Sequence, residues 1–146
     1  MTTNRWKIVF VGTPEFAAPT FDAILSDQDN FEVVACITKP PKPAGRDMAP
    51  QKTRIHIMAE HYHASLHRHA KRFPILTPDI INDPKVYEEL MPLRADLAVV
   101  VAYGQIMSEQ FFNCFKFGAV NLHASLLPKW RGAAPIAWAL LNNDAE

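Results

Sequence analysis

The sequence contains few cysteines and no long apolar run, and each scarcity excludes a class of protein. Its two cysteines, Cys36 and Cys114, provide neither a disulfide framework nor the ligand spacing of a zinc site. We therefore expect both to be buried free thiols in a reducing compartment. No apolar stretch approaches the ~18 residues of a membrane span, and the first residues lack a signal-peptide core. These absences predict a cytosolic protein.

Net charge is lacking as well, because 15 Lys and Arg residues balance 15 Asp and Glu residues. The distribution of charge is uneven, however. Residues 39–72 contain eight basic side chains and only two acidic ones. A segment of this kind is expected where one face of a protein meets a polyanion. The length of 146 residues is consistent with one domain that buries a sizeable core.

The first forty residues predict a βαβ unit. Residues 7–12 form a short, β-branched apolar run that ends in Gly12, as in a strand buried on both faces. Apolar residues at helical spacing follow over 16–26, and residues 31–38 form a second apolar strand. This order predicts an α/β protein with a parallel sheet. Gly12 alone cannot satisfy the three-glycine fingerprint of dinucleotide-binding folds, so we expect no dinucleotide cofactor.

The rest of the chain continues the alternation of strands and helices. The patterns predict helices at 53–69, 84–91 and 135–141, and strands at 73–76, 97–103 and 119–123. The run 97–103 is the most continuously apolar and is predicted to be a central strand. Residues 39–51 contain four prolines and one glycine. That composition excludes a helix or a sheet ladder and predicts an extended, exposed loop.

Five of the six histidines fall in the predicted helix at 53–69. His63 and His67 are one turn apart and could contact one metal ion together. No H-E-x-x-H pattern is present, and no Cys or Asp completes a tetrahedral site. We therefore expect a solvated polar face and no metal.

Asn121 and His123 are the candidate chemical groups. Val120 to His123 alternates apolar and polar residues, and positions two apart on a strand point the same way. An amide beside an imidazole at a strand end suits stabilisation of the oxyanion in an acyl-type transfer. No Ser-His-Asp or Cys-His arrangement accompanies the pair, so the acyl acceptor must be a substrate group. Pro128 and Gly132 break regular structure and are expected to form a wall beside the pair.

Four motifs, in order, resemble those of the folate-dependent formyltransferases, and most closely the methionyl-tRNA formyltransferase family. They are I-V-F-V-G-T-P-E-F-A-A, P-P-K-P-A-G-R, V-V-V-A-Y-G-Q-I-M and N-L-H-A-S-L-L-P-K-W-R-G-A-A-P-I. The resemblance covers nearly the whole chain. It implies a Rossmann-like, mostly parallel sheet flanked by helices. It also implies a cytoplasmic, monomeric enzyme of translation initiation that moves a formyl group from 10-formyltetrahydrofolate to methionyl-initiator tRNA.

The same resemblance assigns roles to individual residues. Asn121 and His123 match the catalytic pair. The positions implied to contact the folate are Ile106, Met107, Ser125, Leu126, Leu127 and Pro128. Lys42 and Arg46 lie in the P-P-K-P-A-G-R loop, which in the family reaches toward the acceptor end of the tRNA. The planar guanidinium of Arg46 suits a phosphate or a base edge. Immediately after Arg46 the sequence departs from the family, since D-M replaces the usual basic residues.

The resemblance also implies that part of the family's machinery is absent from this chain. The family's third catalytic residue is an aspartate downstream of Glu146. Asp144 matches instead an exposed turn that precedes the family's next strand. Residues 1–146 would thus be the N-terminal part of the catalytic domain, incomplete at the C-terminus and without the separate C-terminal tRNA-binding domain. We expect these residues alone to show negligible formyl transfer.

Two other interpretations remain open. The first is a related folate enzyme, namely a glycinamide ribonucleotide or sugar-amine formyltransferase or a formyltetrahydrofolate hydrolase. The glycinamide enzymes usually carry a Gly-rich first turn that G-T-P-E-F lacks. The sugar-amine and hydrolase domains share much of the pattern. The second interpretation is a non-catalytic protein that retains only folate or tRNA binding.

Overall fold

The computed structural model describes residues 5–44, 47–68, 70–132 and 134–144. Seven strands and five α-helices lie in these ranges. In chain order they are β1 (Trp6–Gly12), α1 (Ala18–Ser26), β2 (Phe31–Ile37), β3 (Lys42–Ala44), β4 (Ala49–Gln51), α2 (Arg54–Ser65), β5 (Ile75–Leu76), α3 (Pro84–Leu90), β6 (Leu97–Val101), α4 (Glu109–Phe112), β7 (Ala119–Leu122) and α5 (Pro135–Leu141). Short 3₁₀ segments at Glu15–Ala17 and Met91–Leu93 adjoin α1 and α3.

Five strands form one sheet in the order β5-β2-β1-β6-β7, and every pairing in it is parallel. The predicted α/β class is therefore confirmed, and β6 has the predicted interior position between β1 and β7. Because all five strands run in one direction, their carboxyl ends meet along one edge, called here the carboxyl edge. Their amino ends meet along the opposite, amino edge.

The core has two layers, one on each face of the sheet. Alternate residues of β1 contribute to each layer: Ile8 and Phe10 to one, Val9 and Val11 to the other. All four are at most 1% exposed, as expected for a β-branched strand covered on both faces. The Phe10 ring stacks on Phe21 of α1 with centroids 4.5 Å apart. The side chains of β1 therefore pack against helices on both faces of the sheet.

The observed helix α2 is shorter than the predicted 53–69. Thr53 caps it, because its hydroxyl accepts a hydrogen bond from the His56 amide at 3.1 Å. The helix ends at Ser65, since Leu66 adopts an extended backbone conformation with ψ of 145°. Helix α5 has the predicted bounds.

The proline-rich segment forms a ladder, contrary to the prediction for residues 39–51. Strands β3 and β4 pair antiparallel, with Lys42 opposite Gln51 and Pro43 opposite Pro50. Opposed residues in such a ladder alternate between positions that exchange N–H donors and positions that do not. Two opposed prolines fit the second kind, where neither nitrogen has to donate. The expected exposure is confirmed for β4, whose residues are all exposed.

The basic segment does not form a single face. Lys39 lies at the carboxyl edge, where its ammonium is 4.9 Å from the centre of the Tyr103 ring. Lys71 and Arg72 instead line a groove with Lys7, at the amino edge. The intervening helix α2 carries the chain from one edge to the other, so any anion-binding surfaces built from this segment are separate.

The two cysteines differ in exposure. Cys36 is fully buried in β2, and burial raises the pKa of its thiol to about 12. Cys114 is only partly buried, which corrects the prediction of two buried thiols, although burial still raises the pKa of its thiol. Among the helices of the described ranges, none is long and apolar enough to cross a membrane.

His63 is not part of a solvated face, contrary to the prediction. Its imidazole packs edge-on against Phe73 with centroids 4.4 Å apart. Its Nε2 is buried and has no hydrogen-bond partner among the described residues. Within that part of the chain, no group of three or more His, Cys, Asp or Glu side chains is arranged to hold a metal ion.

The surroundings of His63 predict a pH-dependent stability. Burial, followed by the charge of Arg72, lowers the pKa of His63 below its ordinary 6.5. The unfolded chain therefore takes up this proton at a higher pH than the folded protein does. The stabilisation is complete above about pH 6.5 and is lost as the pH falls below it. We expect His63→Phe to flatten the fall in the free energy of unfolding below pH 6.5, measured by urea denaturation.

The control for this measurement is the exposed His61 on the same helix. His61→Phe should leave the pH dependence as in the unmodified protein. Equal slopes for the unmodified protein and the His63→Phe variant would contradict the interpretation.

Gly12 marks the close contact between the end of β1 and the segment that leads into α1. A Cβ at this position would lie 2.9 Å from Ala17 Cβ and 3.0 Å from the Val101 carbonyl oxygen. We expect Gly12→Ala to lower the free energy of unfolding by about 1–3 kcal/mol through overpacking, as measured by chemical denaturation. Gly104→Asn is the control, since Gly104 has open space around it and a φ of 79° that Asn tolerates. Similar losses in both variants would disprove a specific steric cause at Gly12.

Candidate functional site at the carboxyl edge

A concavity at the carboxyl edge, called here the His123 cavity, has a volume of ≈ 760 Å³. It lies between the segment that follows β7, helix α5 and Phe16 of the first turn. Its lining residues are Phe16, His123, Ala124, Ser125, Leu126, Leu127, Pro128, Lys129, Trp130, Ile136, Ala139, Leu140 and Asp144. The size and the mainly apolar lining with a few polar groups are typical of a small-molecule site.

A second concavity, the Asn121 groove, has a volume of ≈ 380 Å³ and lies where β6 and β7 end. Its lining residues are Val100, Ala102, Tyr103, Gly104, Gln105, Met107, Phe112, Ala119, Val120 and Asn121. Asn121 lines the groove and His123 lines the other cavity, so the two concavities lie on either side of Leu122, the last residue of β7. A ligand that reaches both would therefore cross the end of this strand.

The predicted site residues are divided between these two cavities. Five lie in the His123 cavity and two in the Asn121 groove: His123, Ser125, Leu126, Leu127 and Pro128 in the first, Asn121 and Met107 in the second. Ile106 is 91% exposed and lines neither of them. Lys42 is exposed on β3, and Arg46 lies outside the described residues.

His123 is held by a backbone contact. Its Nε2 lies 3.1 Å from the carbonyl oxygen of Trp130, and the side chain is partly buried. A carbonyl oxygen only accepts hydrogen bonds, so Nε2 carries the proton in this contact. In the neutral ring, Nδ1 is then the acceptor. His123 can therefore accept a proton at Nδ1 while the loop fixes its orientation.

The loop that carries this carbonyl is fixed by local interactions. The Ser125 hydroxyl donates to the Lys129 carbonyl at 2.6 Å. Trp130 has a φ of 55° and Gly132 a φ of 91°, so two residues of the turn are left-handed. That conformation costs a non-glycine residue about 1–2 kcal/mol. Trp130 therefore needs tertiary contacts to remain in it, and its indole supplies one.

The Trp130 indole donates a hydrogen bond to Asp144 Oδ2 at 2.6 Å. The same oxygen lies 3.6 Å from the Lys129 ammonium. Asp144 is thus partly buried and lines the His123 cavity, rather than lying in an exposed turn as predicted. A buried indole N–H usually has a hydrogen-bond partner, but the sequence does not identify which of many acceptors provides it.

The loop after β6 is attached to the segment before α3. The Gln105 side chain accepts from the Ile81 amide at 2.8 Å and donates to the Asp79 carbonyl at 2.7 Å. Asn82 continues the attachment, since its amide nitrogen donates to the Ile106 carbonyl at 2.9 Å. Gln105 and Asn82 therefore shape the Asn121 groove, and sequence analysis did not single out either residue.

Tyr103 lines the Asn121 groove, and the Lys39 ammonium lies over its ring. The Tyr103 hydroxyl is buried and has no partner among the described residues. Burial, followed by the negative charge of Asp79, raises the pKa of Tyr103 to about 12, so it remains a neutral phenol. Burial and the charge of Lys42 lower the pKa of Lys39.

Asp144 provides a test of how His123 is held. Replacing Asp144 with Ala removes the indole's acceptor, and we expect the Trp130 turn to loosen and the His123 contact to be lost. Hydrogen–deuterium exchange should then increase for the amides of residues 124–132. Asp144→Asn keeps an acceptor oxygen and is the matched control, with a much smaller increase. Equal exchange in Asp144→Ala and the unmodified protein would contradict this role.

Comparisons with known proteins assign this chain to a family. Residues 6–146 match the family described as formyl transferase. The chain is 43% identical to a methionyl-tRNA formyltransferase from Magnetococcus marinus, over 98% of this chain and 42% of that protein. It is 40% identical to a methionyl-tRNA formyltransferase from Nitrosomonas eutropha, over 96% of this chain and 41% of that protein. The chain thus spans about two fifths of the length of these relatives.

Solved structures show the same fold. A phosphoribosylglycinamide formyltransferase from Bacillus halodurans superposes with a TM-score of 0.68 at 18% identity, over 94% of this chain and 66% of that one. At that identity the likeness establishes the fold alone. Together with the family match over nearly the whole chain, it leads to one conclusion: the chain belongs to the formyl transferase family.

Proposed function

We propose that the protein transfers a formyl group from 10-formyltetrahydrofolate to the amino group of methionyl-initiator tRNA. One observation carries the proposal: Asn121 and His123 lie at the carboxyl end of a parallel strand, each beside a largely apolar cavity. The choice of tRNA is supported by the relatives named methionyl-tRNA formyltransferase, to which the chain is 40–43% identical.

In the proposed reaction the amine attacks the formyl carbon of the donor. A C–N bond forms, the carbonyl oxygen becomes an oxyanion, and the bond to N10 of the folate then breaks. The Asn121 amide N–H stabilises the oxyanion, a contribution of roughly 3–4 kcal/mol for one such donor. His123 accepts the proton that the amine loses at Nδ1 and passes it to the departing N10.

The folate is proposed to contact both cavities. Its ring system would enter the Asn121 groove beside Met107, where backbone groups of the loop after β6 can bind its polar edge. Ile106 projects into solvent beside this loop, and a bound ring would cover it. The segment from Ser125 to Pro128 would line the rest of the ligand in the His123 cavity. The formyl carbon would then lie near Leu122, between the two catalytic side chains.

The tRNA is proposed to approach along the β3–β4 hairpin. Lys42 is exposed there, and Lys39 lies at the base of the hairpin beside Tyr103. The two ammonium groups would attract the phosphates of the acceptor end. Arg46, in the same connection, is proposed as a further phosphate or base contact.

We also propose that residues 1–146 are the N-terminal part of the catalytic domain of a monomeric, cytoplasmic enzyme. The chain covers 41–42% of the relatives cited above, which leaves most of their length unmatched. On this proposal a downstream aspartate orients the His123 ring and favours its charged form, and a separate domain adds contacts to the tRNA.

The test is a formylation assay on the complete gene product with 10-formyltetrahydrofolate. Methionyl-initiator tRNA and glycinamide ribonucleotide are offered in parallel. We expect formylation of the tRNA, reduced about 10²–10³-fold in kcat by Asn121→Ala, which removes the oxyanion donor. His123→Ala should remove activity to a comparable or greater extent. Asn113→Ala and His61→Ala are matched controls, because both side chains are exposed and neither lines the His123 cavity or the Asn121 groove.

Formylation of glycinamide ribonucleotide alone would contradict the tRNA assignment while keeping the transferase chemistry. Hydrolysis of the folate without transfer would indicate a hydrolase. Full activity in both Asn121→Ala and His123→Ala would disprove the proposed site.

A further inference from the structure

A groove of ≈ 430 Å³ lies at the amino edge of the sheet, on the opposite side from the proposed formyl-transfer site. It is bounded by the starts of β1 and β2, by the approach to β5 and by the turn that precedes β6. Its charged residues therefore come from four separate segments that only the parallel sheet brings together. Its volume falls within the range of small-molecule sites, about 300–1,000 Å³.

This amino-edge groove carries a strong excess of positive charge. Five cationic side chains line it, against the single carboxylate of Glu32: Arg5, Lys7, Lys71, Arg72 and Arg94. Arg5 forms a salt bridge with Glu32, with 3.7 Å between Arg5 Nη2 and Glu32 Oε2. The other four cations form no salt bridge within the described ranges. Mutual repulsion disfavours such a cluster, and an anion with several negative charges relieves it.

Arg94 is also in a conformation that costs energy. It has φ of 48° and ψ of 48°, a left-handed backbone that favours glycine or asparagine. The turn that connects α3 to β6 holds it there, with its amide bonded to the Met91 carbonyl at 3.2 Å. Strained residues of this kind concentrate at ligand sites, and here the strain places a guanidinium at the groove.

The groove also has an apolar wall. Ile24 and Leu25 of α1, Phe31 of β2 and Tyr62 of α2 contribute to it. The Tyr62 ring is only partly buried, and it stacks on Phe73 with centroids 5.9 Å apart and planes at 23°. A flat heterocycle could pack against such a wall while its charged groups reach the arginines.

We propose that the amino-edge groove binds a nucleoside polyphosphate. The arginine guanidiniums would bind the phosphates through paired N–H donors, and the base would lie against Tyr62 and Phe31. An RNA strand fits less well, because the groove is bounded by apolar walls rather than being an open basic stripe. This inference does not depend on the proposed formyl transfer, which uses the other edge of the sheet.

The first test is titration calorimetry of the protein with ATP, tripolyphosphate and adenosine. ATP should bind with one-site stoichiometry, more tightly than either of its parts. The affinity should fall as salt is raised, because the phosphates displace counter-ions from the arginines. Arg72→Gln and Arg94→Gln should each weaken ATP binding about tenfold, as expected for the loss of one charge-assisted contact.

A second variant separates binding from folding. Arg94→Gly removes the charge and also relieves the left-handed strain, so it should melt no lower than the unmodified protein yet bind ATP about tenfold more weakly. Lys85→Gln is the matched control, since Lys85 lies on α3 outside this groove and should leave ATP affinity unchanged.

Three results would overturn the inference. The first is no saturable ATP binding at millimolar concentrations in low salt. The second is binding that Arg72→Gln and Arg94→Gln leave unchanged. The third is tripolyphosphate or a short single-stranded RNA binding through these arginines as tightly as ATP. Either result would show that the apolar wall does not select a nucleoside.

Discussion

The parallel pairing of β1 with β6 is the interaction on which the other features of this structure depend. Both strands are apolar, and β1 is buried on both faces, so their register cannot slip without exposing core residues. This pairing brings the carboxyl ends of the strands to one edge, where Gly12 and Val101 lie opposite each other. The candidate site is built on the loops that leave this edge, while the core below it remains fixed.

The amino edge of the same sheet carries side chains of a different kind from those at the carboxyl edge. Loops at the carboxyl edge carry mainly apolar walls with an amide and an imidazole, whereas the amino edge gathers cations from three segments. Helix α2 connects the two, since it begins near the carboxyl-edge hairpin and is followed by Lys71 and Arg72 at the amino edge. A segment that is predominantly basic in sequence therefore supplies charge to two distinct surfaces.

Sequence analysis predicted those features that depend on local pattern. The buried strand β1, the interior strand β6 and the bounds of α5 follow from apolar periodicity, and the motifs around Asn121 and His123 identified the family. Features decided by distant contacts were predicted wrongly. Asp144 is partly buried because it accepts from Trp130, and His63 is partly buried because Phe73 packs on it. Neither partner can be chosen from spacing alone.

The two candidate catalytic residues are held by different means, which has consequences for the site. Asn121 lies within β7, opposite Val100 of β6, so the sheet itself fixes its position. His123 lies beyond the last strand pair, and its ring depends on the carbonyl of Trp130. The backbone that carries the Asn121 side chain is therefore fixed by the sheet, whereas the imidazole is positioned by a strained turn held through the indole of Trp130. Catalysis that needs both groups is consequently most sensitive to the turn, the weaker of these two supports.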